Sequence, residues 1–167
     1  MKIIIVASKF NEKLMDGLIE NTKYSLIDSG IDKKDISLIR VPGAYEIPQM
    51  INLVHNSVTQ DLNNHVIYIA LGVVIEGETN HAQMIIDTTG QSLLDLSLAK
   101  NILIVNEIVG APSYKIAEAR CIGKESVWKE KGFVEFIKNY PMFSEFLNWR
   151  SQLKTVTKAR ECLVTDR

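Results

Sequence analysis

Ala70-Leu-Gly-Val-Val-Ile-Glu-Gly-Glu-Thr-Asn-His81 is the stretch whose reading decides the fold. Residues 65–71 are rich in β-branched and apolar side chains, the composition of a strand covered on both faces. Gly72 and Gly77 then loosen the backbone, and Thr79 or Asn80 stands where it can cap a helix. Strand, glycine-bearing turn and helix start make one β-loop-α unit. An open α/β sheet carries its chemistry at this carboxyl end of a strand. Unpaired N–H groups at a helix start attract anions. His81 falls in the first helical turn, where the dipole favours the neutral ring. One short segment therefore offers an anion cradle beside a proton-transfer group. The plainer alternative makes His81 a partly exposed helix-start residue with no duty.

The unit recurs outward in both directions. Residues 2–7 read as a first strand, and Asn11 is placed to cap a helix running to about residue 28. Its apolar residues Leu14, Leu18, Tyr24, Leu26 and Ile27 are partly in register, and Ser29-Gly30 ends it. Residues 35–41 form a second strand broken by Pro42-Gly43. Residues 44–55 are then helical, with Glu46 in the first turn and Ile47, Met50, Ile51 and Val54 behind it. Downstream of His81 a helix reaches about residue 99, and residues 102–109 form a fourth strand. Beyond Pro112, Ser113 can cap a helix through Arg120. A charged connection, residues 121–130, leads to a helical tract from about residue 131 that restarts at Pro141. There Phe143, Phe146, Leu147 and Trp149 either complete the core or cover a partner subunit. Repeated β-loop-α units predict a parallel sheet with right-handed crossovers, in one domain spanning residues 1–167.

Composition narrows the function. A chain of 167 residues can bury a substantial core. A formal net charge of -1 lacks the basic character that nucleic-acid binding needs. No apolar run is long enough to span a membrane. Two isolated cysteines, Cys121 and Cys162, form no metal spacing and no disulfide framework, so the expected home is a reducing cytoplasm.

The loops after strands one to three present Phe10-Asn11, Gly43-Ala44-Tyr45-Glu46 and Gly77-Glu78-Thr79-Asn80-His81. In a doubly wound sheet they share one edge. Phe10 and Tyr45 can contact a flat heterocycle. Arg120, after strand four, has a planar fork suited to phosphate. Plainer alternatives are core packing for Phe10, helix-dipole compensation for Glu46 and a helix-end surface charge for Arg120.

Four segments carry a family resemblance: Phe10-Asn11, Val41-Pro-Gly-Ala-Tyr-Glu-Ile-Pro48, Ala70-Leu-Gly-Val-Val-Ile-x-Gly-x-Thr-x-His81 and Ala117-x-x-Arg120. In this order and spacing, over about residues 1 to 138, the chain resembles the lumazine synthase family. The resemblance implies an α/β fold: a flavodoxin-like four-stranded parallel sheet, order 2-1-3-4, in a three-layer αβα sandwich. It implies condensation of 5-amino-6-ribitylamino-pyrimidinedione with 3,4-dihydroxy-2-butanone 4-phosphate, a step of riboflavin biosynthesis. The products are 6,7-dimethyl-8-ribityllumazine, inorganic phosphate and water.

By the same resemblance, Phe10 lies against the pyrimidine, and Ala44, Tyr45 and Glu46 contact the pyrimidine and ribityl chain. Gly77, Glu78 and Thr79 sit near the phosphate, Arg120 pairs with it, and His81 transfers protons. Asn11, Gly43, Val73, Val74, Ile75 and Asn106 complete the substrate-binding set. No metal and no cofactor is expected. The partners are the two small-molecule substrates and further copies of the chain, as a ring of five. Imine formation near neutral pH suits a histidine, and phosphate departure suits a cation with oriented amides, independently of the resemblance.

The chain departs from the family pattern at several points, among them residues 121–131, longer than the family's short Gly-rich link. Asn106-Glu-Ile-Val-Gly-Ala-Pro112 stands where the family usually has phenylalanine followed by Gly-Val-Leu-Thr; Glu76 replaces a usual arginine and Ala82 a usual aromatic. A strand-donating N-terminal extension, found in many members of the family, is not expected here, which favours a ring over a complete shell. Two alternatives stay open: an archaeal-type riboflavin synthase, and a non-catalytic flavin- or lumazine-binding assembly protein.

Overall fold

A computed structural model describes residues 2–28, 30–58 and 66–122. They form β1 (Lys2–Ser8), α1 (Glu12–Asp28), β2 (Ile36–Val41), α2 (Ile47–Val58), β3 (Val66–Ile75), α3 (His81–Lys100), β4 (Leu103–Ala111) and α4 (Tyr114–Cys121). The four strands pair in parallel in the order β2-β1-β3-β4, the predicted flavodoxin-like arrangement. The helical tract expected from about residue 131 lies outside the described residues.

Successive strand residues alternate between two covered faces. Ile4, Val6, Tyr68, Ala70 and Val74 join Ile47 and Ile51 of α2 and Ala82 and Leu93 of α3 in one core. The intervening residues, among them Ile5, Ala7, Ile69 and Leu71, turn to the other face, where α1 and α4 pack together. Both faces are covered, so the strands read as unbroken apolar runs, and the sandwich has three layers.

Several local expectations meet their outcome here. The third strand does not stop at Leu71 but runs to Ile75, because β4 pairs with it all the way from Ile67↔Leu103 to Ile75↔Ala111. Gly72 is therefore inside a strand, not in a turn. Helix α1 shows the partial register expected of its apolar residues: Leu14, Leu18 and Leu26 are buried, and Tyr24 and Ile27, off that stripe, are exposed. Residue 44 opens a 3-10 turn, Ala44–Glu46, and the α-helix begins at Ile47. The fourth strand likewise extends to Ala111.

Candidate active site

β1 pairs with β3 only as far as Ala7↔Leu71, so β3 and β4 project beyond β1 as a two-stranded wall. That projection leaves carbonyls of β3 without a strand partner. Asn11 supplies one: its Nδ2 donates to the Val73 carbonyl at 3.0 Å. Asn11 reaches it from a left-handed backbone, φ 59°, which asparagine tolerates better than most residues. Its carbonyl meanwhile accepts from the Leu14 and Met15 N–H groups and starts α1. The expected cap is thus made by backbone, and the side chain braces the wall.

The loops after β1 and β2 are zipped to each other. Lys9 N–H donates to Val41 O at 2.7 Å and Phe10 N–H to Pro42 O at 3.2 Å. Next to them, Glu46 turns back and accepts from the Gly43 N–H with Oε2 at 2.9 Å, as in a capping box. The helix-start role thus occupies one oxygen of Glu46. The 3-10 turn can lie close against β3 because residue 72 is glycine. A Cβ there would sit 3.2 Å from the Ala44 Cβ and 3.2 Å from the Ile108 side chain.

Between these parts opens a cleft of about 580 Å³. Phe10, Gly43, Ala44, Tyr45, Glu46, Val73, Val74, Ile75, Gly77, Thr79 and His81 all line it. Phe10 is 72% exposed and Tyr45 48%, too open for core residues, and their rings border an apolar hollow. His81 is the first residue of α3 and is exposed. Asn80 occupies the cap position, yet neither it nor Thr79 was needed as a side-chain cap: Asn80 makes no cap hydrogen bond. The helix-start N–H groups therefore carry no cap from Asn80, and His81 at that start lines the cleft.

Glu78 does not line this cleft. It borders an adjoining recess of about 540 Å³ with Glu76, Gly77, Thr79, Asn80 and Gln83. Asn106 and Arg120 are not among the lining residues either. Both are exposed, and the Asn106 Oδ1 accepts from the Ile108 N–H at 3.2 Å on its own strand. Three further lining residues were not expected in the site: Ala82, Met84 and Ile85, the first turn of α3 behind His81. The i+3 and i+4 spacing of Met84 and Ile85 from His81 was the available signal.

Two further groups are set by burial. Glu107, beside Asn106 on β4, has its carboxyl pushed up to about 7 by desolvation. Cys121 is fully buried, and burial raises its thiol to about 11 despite the nearby Arg120 charge. A thiol held protonated is no nucleophile. Among the described residues no group of three or more His, Cys, Asp or Glu could hold a metal ion.

The arrangement is that of an α/β sandwich enzyme working at the carboxyl edge of a parallel sheet, with aromatic walls and a histidine at a helix start. A family model described as 6,7-dimethyl-8-ribityllumazine synthase matches residues 1–139, and the chain belongs to that family. It is accordingly a transferase of riboflavin biosynthesis. The 6,7-dimethyl-8-ribityllumazine synthase of Xanthomonas campestris pv. campestris (strain B100) is 33% identical over 122 residues, 73% of this chain and 76% of its own. That of Xylella fastidiosa (strain M12) is 30% identical over the same shares. That of Xanthomonas oryzae pv. oryzae (strain PXO99A) reaches 34%, again over those shares. Among solved structures, a de novo designed Rossmann fold protein aligns with TM-score 0.38 and 14% identity, over 76% of this chain and 99% of its own.

Proposed function

We propose that the cleft holds the ribitylamino-pyrimidinedione and the butanone phosphate together, and that a neighbouring copy of the chain completes it. The pyrimidine lies against Phe10, with Ala44, Tyr45 and Glu46 along its ribityl chain. The phosphate rests at the start of α3, near Gly77, Glu78 and Thr79. The pyrimidine's amino group attacks the ketone carbonyl, a first water leaves as the imine forms, phosphate is then eliminated, and the ribityl-bearing nitrogen closes the second ring on the remaining carbonyl with loss of a second water. His81 relays the protons these steps exchange.

One observation carries the shared-site reading. A departing phosphate needs a cation, yet among the described residues neither lysine nor arginine lines the cleft or its adjoining recess. Arg120, the residue suited to that duty, lies on α4 outside both. A head-to-tail contact brings the Asn106 and Arg120 edge of one copy to the cleft of the next, and such contacts close into rings. Exposed Leu53 on α2 and Met84, Leu94 and Leu98 on α3 supply apolar surface for assembly. The ring has five members, as the family resemblance implies, and it works in the cytoplasm. No helix among the described residues is long and apolar enough to cross a membrane.

Native mass spectrometry run beside a lumazine fluorescence assay tests this. A five-fold mass that turns over both substrates is the expected result. A monomer with full turnover removes the shared site, and riboflavin binding without turnover favours a non-catalytic assembly protein.

A further inference from the structure

Arg120 belongs to the last turn of an eight-residue helix. So short a helix is marginal by itself, and its end frays unless tertiary contacts hold it. Three contacts from α1 meet this end. The Asn21 Nδ2 donates to the Cys121 carbonyl at 2.9 Å, across 100 positions of sequence. This satisfies one of the carbonyls that a helix end leaves unpaired. One turn earlier on α1, residue 17 is glycine, and a Cβ there would collide with the Ile122 side chain. One turn earlier again, Lys13 Nζ lies 3.8 Å from Glu118 Oε1, an exposed pair worth little. Lys13, Gly17 and Asn21 are spaced i, i+4, i+8 and so form one stripe. The stripe grips the residues on both sides of Arg120, while Ala117 and Cys121 are fully buried beneath.

We infer that Asn21 and Gly17 are positioning residues for Arg120: the α1 stripe fixes the last turn of α4 and thereby where the guanidinium reaches. This builds on the reading of Arg120 as the phosphate's partner. The amide bond sets the turn's height along α1, and the missing side chain at 17 sets its distance.

The test compares Asn21→Leu, Gly17→Ala, Gly17→Ala with Ile122→Ala, and Arg120→Ala in the full-length protein. Asn21→Leu keeps the side-chain bulk and removes the donor. It should raise KM for the butanone phosphate, and the inhibition constant of inorganic phosphate, about two- to tenfold, the span of one ordinary hydrogen bond. KM for the pyrimidine and kcat stay unchanged. Gly17→Ala should act in the same direction, and Ile122→Ala should restore it by vacating the space; this pair decides the matter even if Asn21→Leu folds poorly. On the Arg120→Ala background, Asn21→Leu should add nothing to the phosphate constants, since residues acting through one group are not additive. Equal rises in both KM values, or full additivity with Arg120→Ala, would show a merely structural clamp and overturn the inference. If Arg120→Ala itself leaves the phosphate constants unchanged, the reading of Arg120 fails first and the inference falls with it. If Arg120→Ala weakens phosphate and neither α1 variant does, only the inference falls.

Discussion

The loops after β1, β2 and β3 and the edge formed by β4 and α4 handle their functional residues in opposite ways. In the first region a single chain gathers Phe10, Gly43 to Glu46, Gly77, Thr79 and His81 around one hollow. In the second, Asn106 and Arg120 stand exposed and outside that hollow. The first region is positioned by backbone: a strand wall braced by Asn11, loops zipped at 2.7 and 3.2 Å, and a helix start without a cap from Asn80. The second presents long side chains outward from a strand edge and a short helix. The backbone-built part of the site assembles within one copy; on the shared-site proposal, the outward-projecting groups act where another copy meets them.

The largest effect should come from the first region. His81→Ala is expected to lower turnover roughly ten- to ten-thousandfold with the fold intact, the range for losing a general acid–base group. Steady-state kinetics and a circular dichroism melt check it. Unchanged turnover and pH profile would remove His81 from the mechanism.

Arg120→Ala probes the other region. It should weaken the butanone phosphate by about 2–5 kcal/mol, as for a charged hydrogen-bonded pair, and the pyrimidine far less. Separate titrations of the two substrates measure this, and equal losses would make Arg120 structural.

Gly72→Val tests the packing behind the cleft. Its side chain would press on Ala44 and Ile108, which should cost about 1–3 kcal/mol of stability and push the 3-10 turn off β3. A melting temperature equal to the parent's would show that the close approach is unimportant.

The smallest effect concerns Glu107, whose carboxyl burial raises from 4.5 to about 7. A carboxyl raised by folding favours the folded state while it is protonated. That contribution is fully present below 4.5 and disappears as pH climbs through 7. Glu107→Gln keeps the neutral form throughout. It should therefore melt like the parent in acid and above it in alkali. Parallel melting curves across the range would show that folding leaves the Glu107 carboxyl in water.

Much of the first region was legible in the sequence. Apolar runs, Pro42-Gly43 and Gly77 mark strands and breaks by local chemistry, and local chemistry is what a sequence displays. The strand extension through Val73-Val74-Ile75 was not legible as such. Its partner is β4, more than 30 positions away, and Gly72 within it signals a turn as readily as a close approach. Nor was the bracing role of Asn11, which depends on a left-handed backbone and on a carbonyl 62 positions distant. Glu107 passed unnoticed because desolvation comes from what packs around a residue, not from its neighbours in sequence. Arg120 was legible as a phosphate ligand by type, but the cleft it fails to line could only be seen in three dimensions.

The central claim is that a working site takes His81 from one copy and Arg120 from the next. Its most direct measurement is complementation between two inactive chains, His81→Ala and Arg120→Ala, co-expressed and assayed for lumazine formation. Random mixing in a ring leaves an intact pair at about a quarter of the sites. Activity should return toward that fraction of the parent's, and a chain carrying both substitutions should restore none. Activity no greater than the sum of the two variants assayed apart would contradict the shared site.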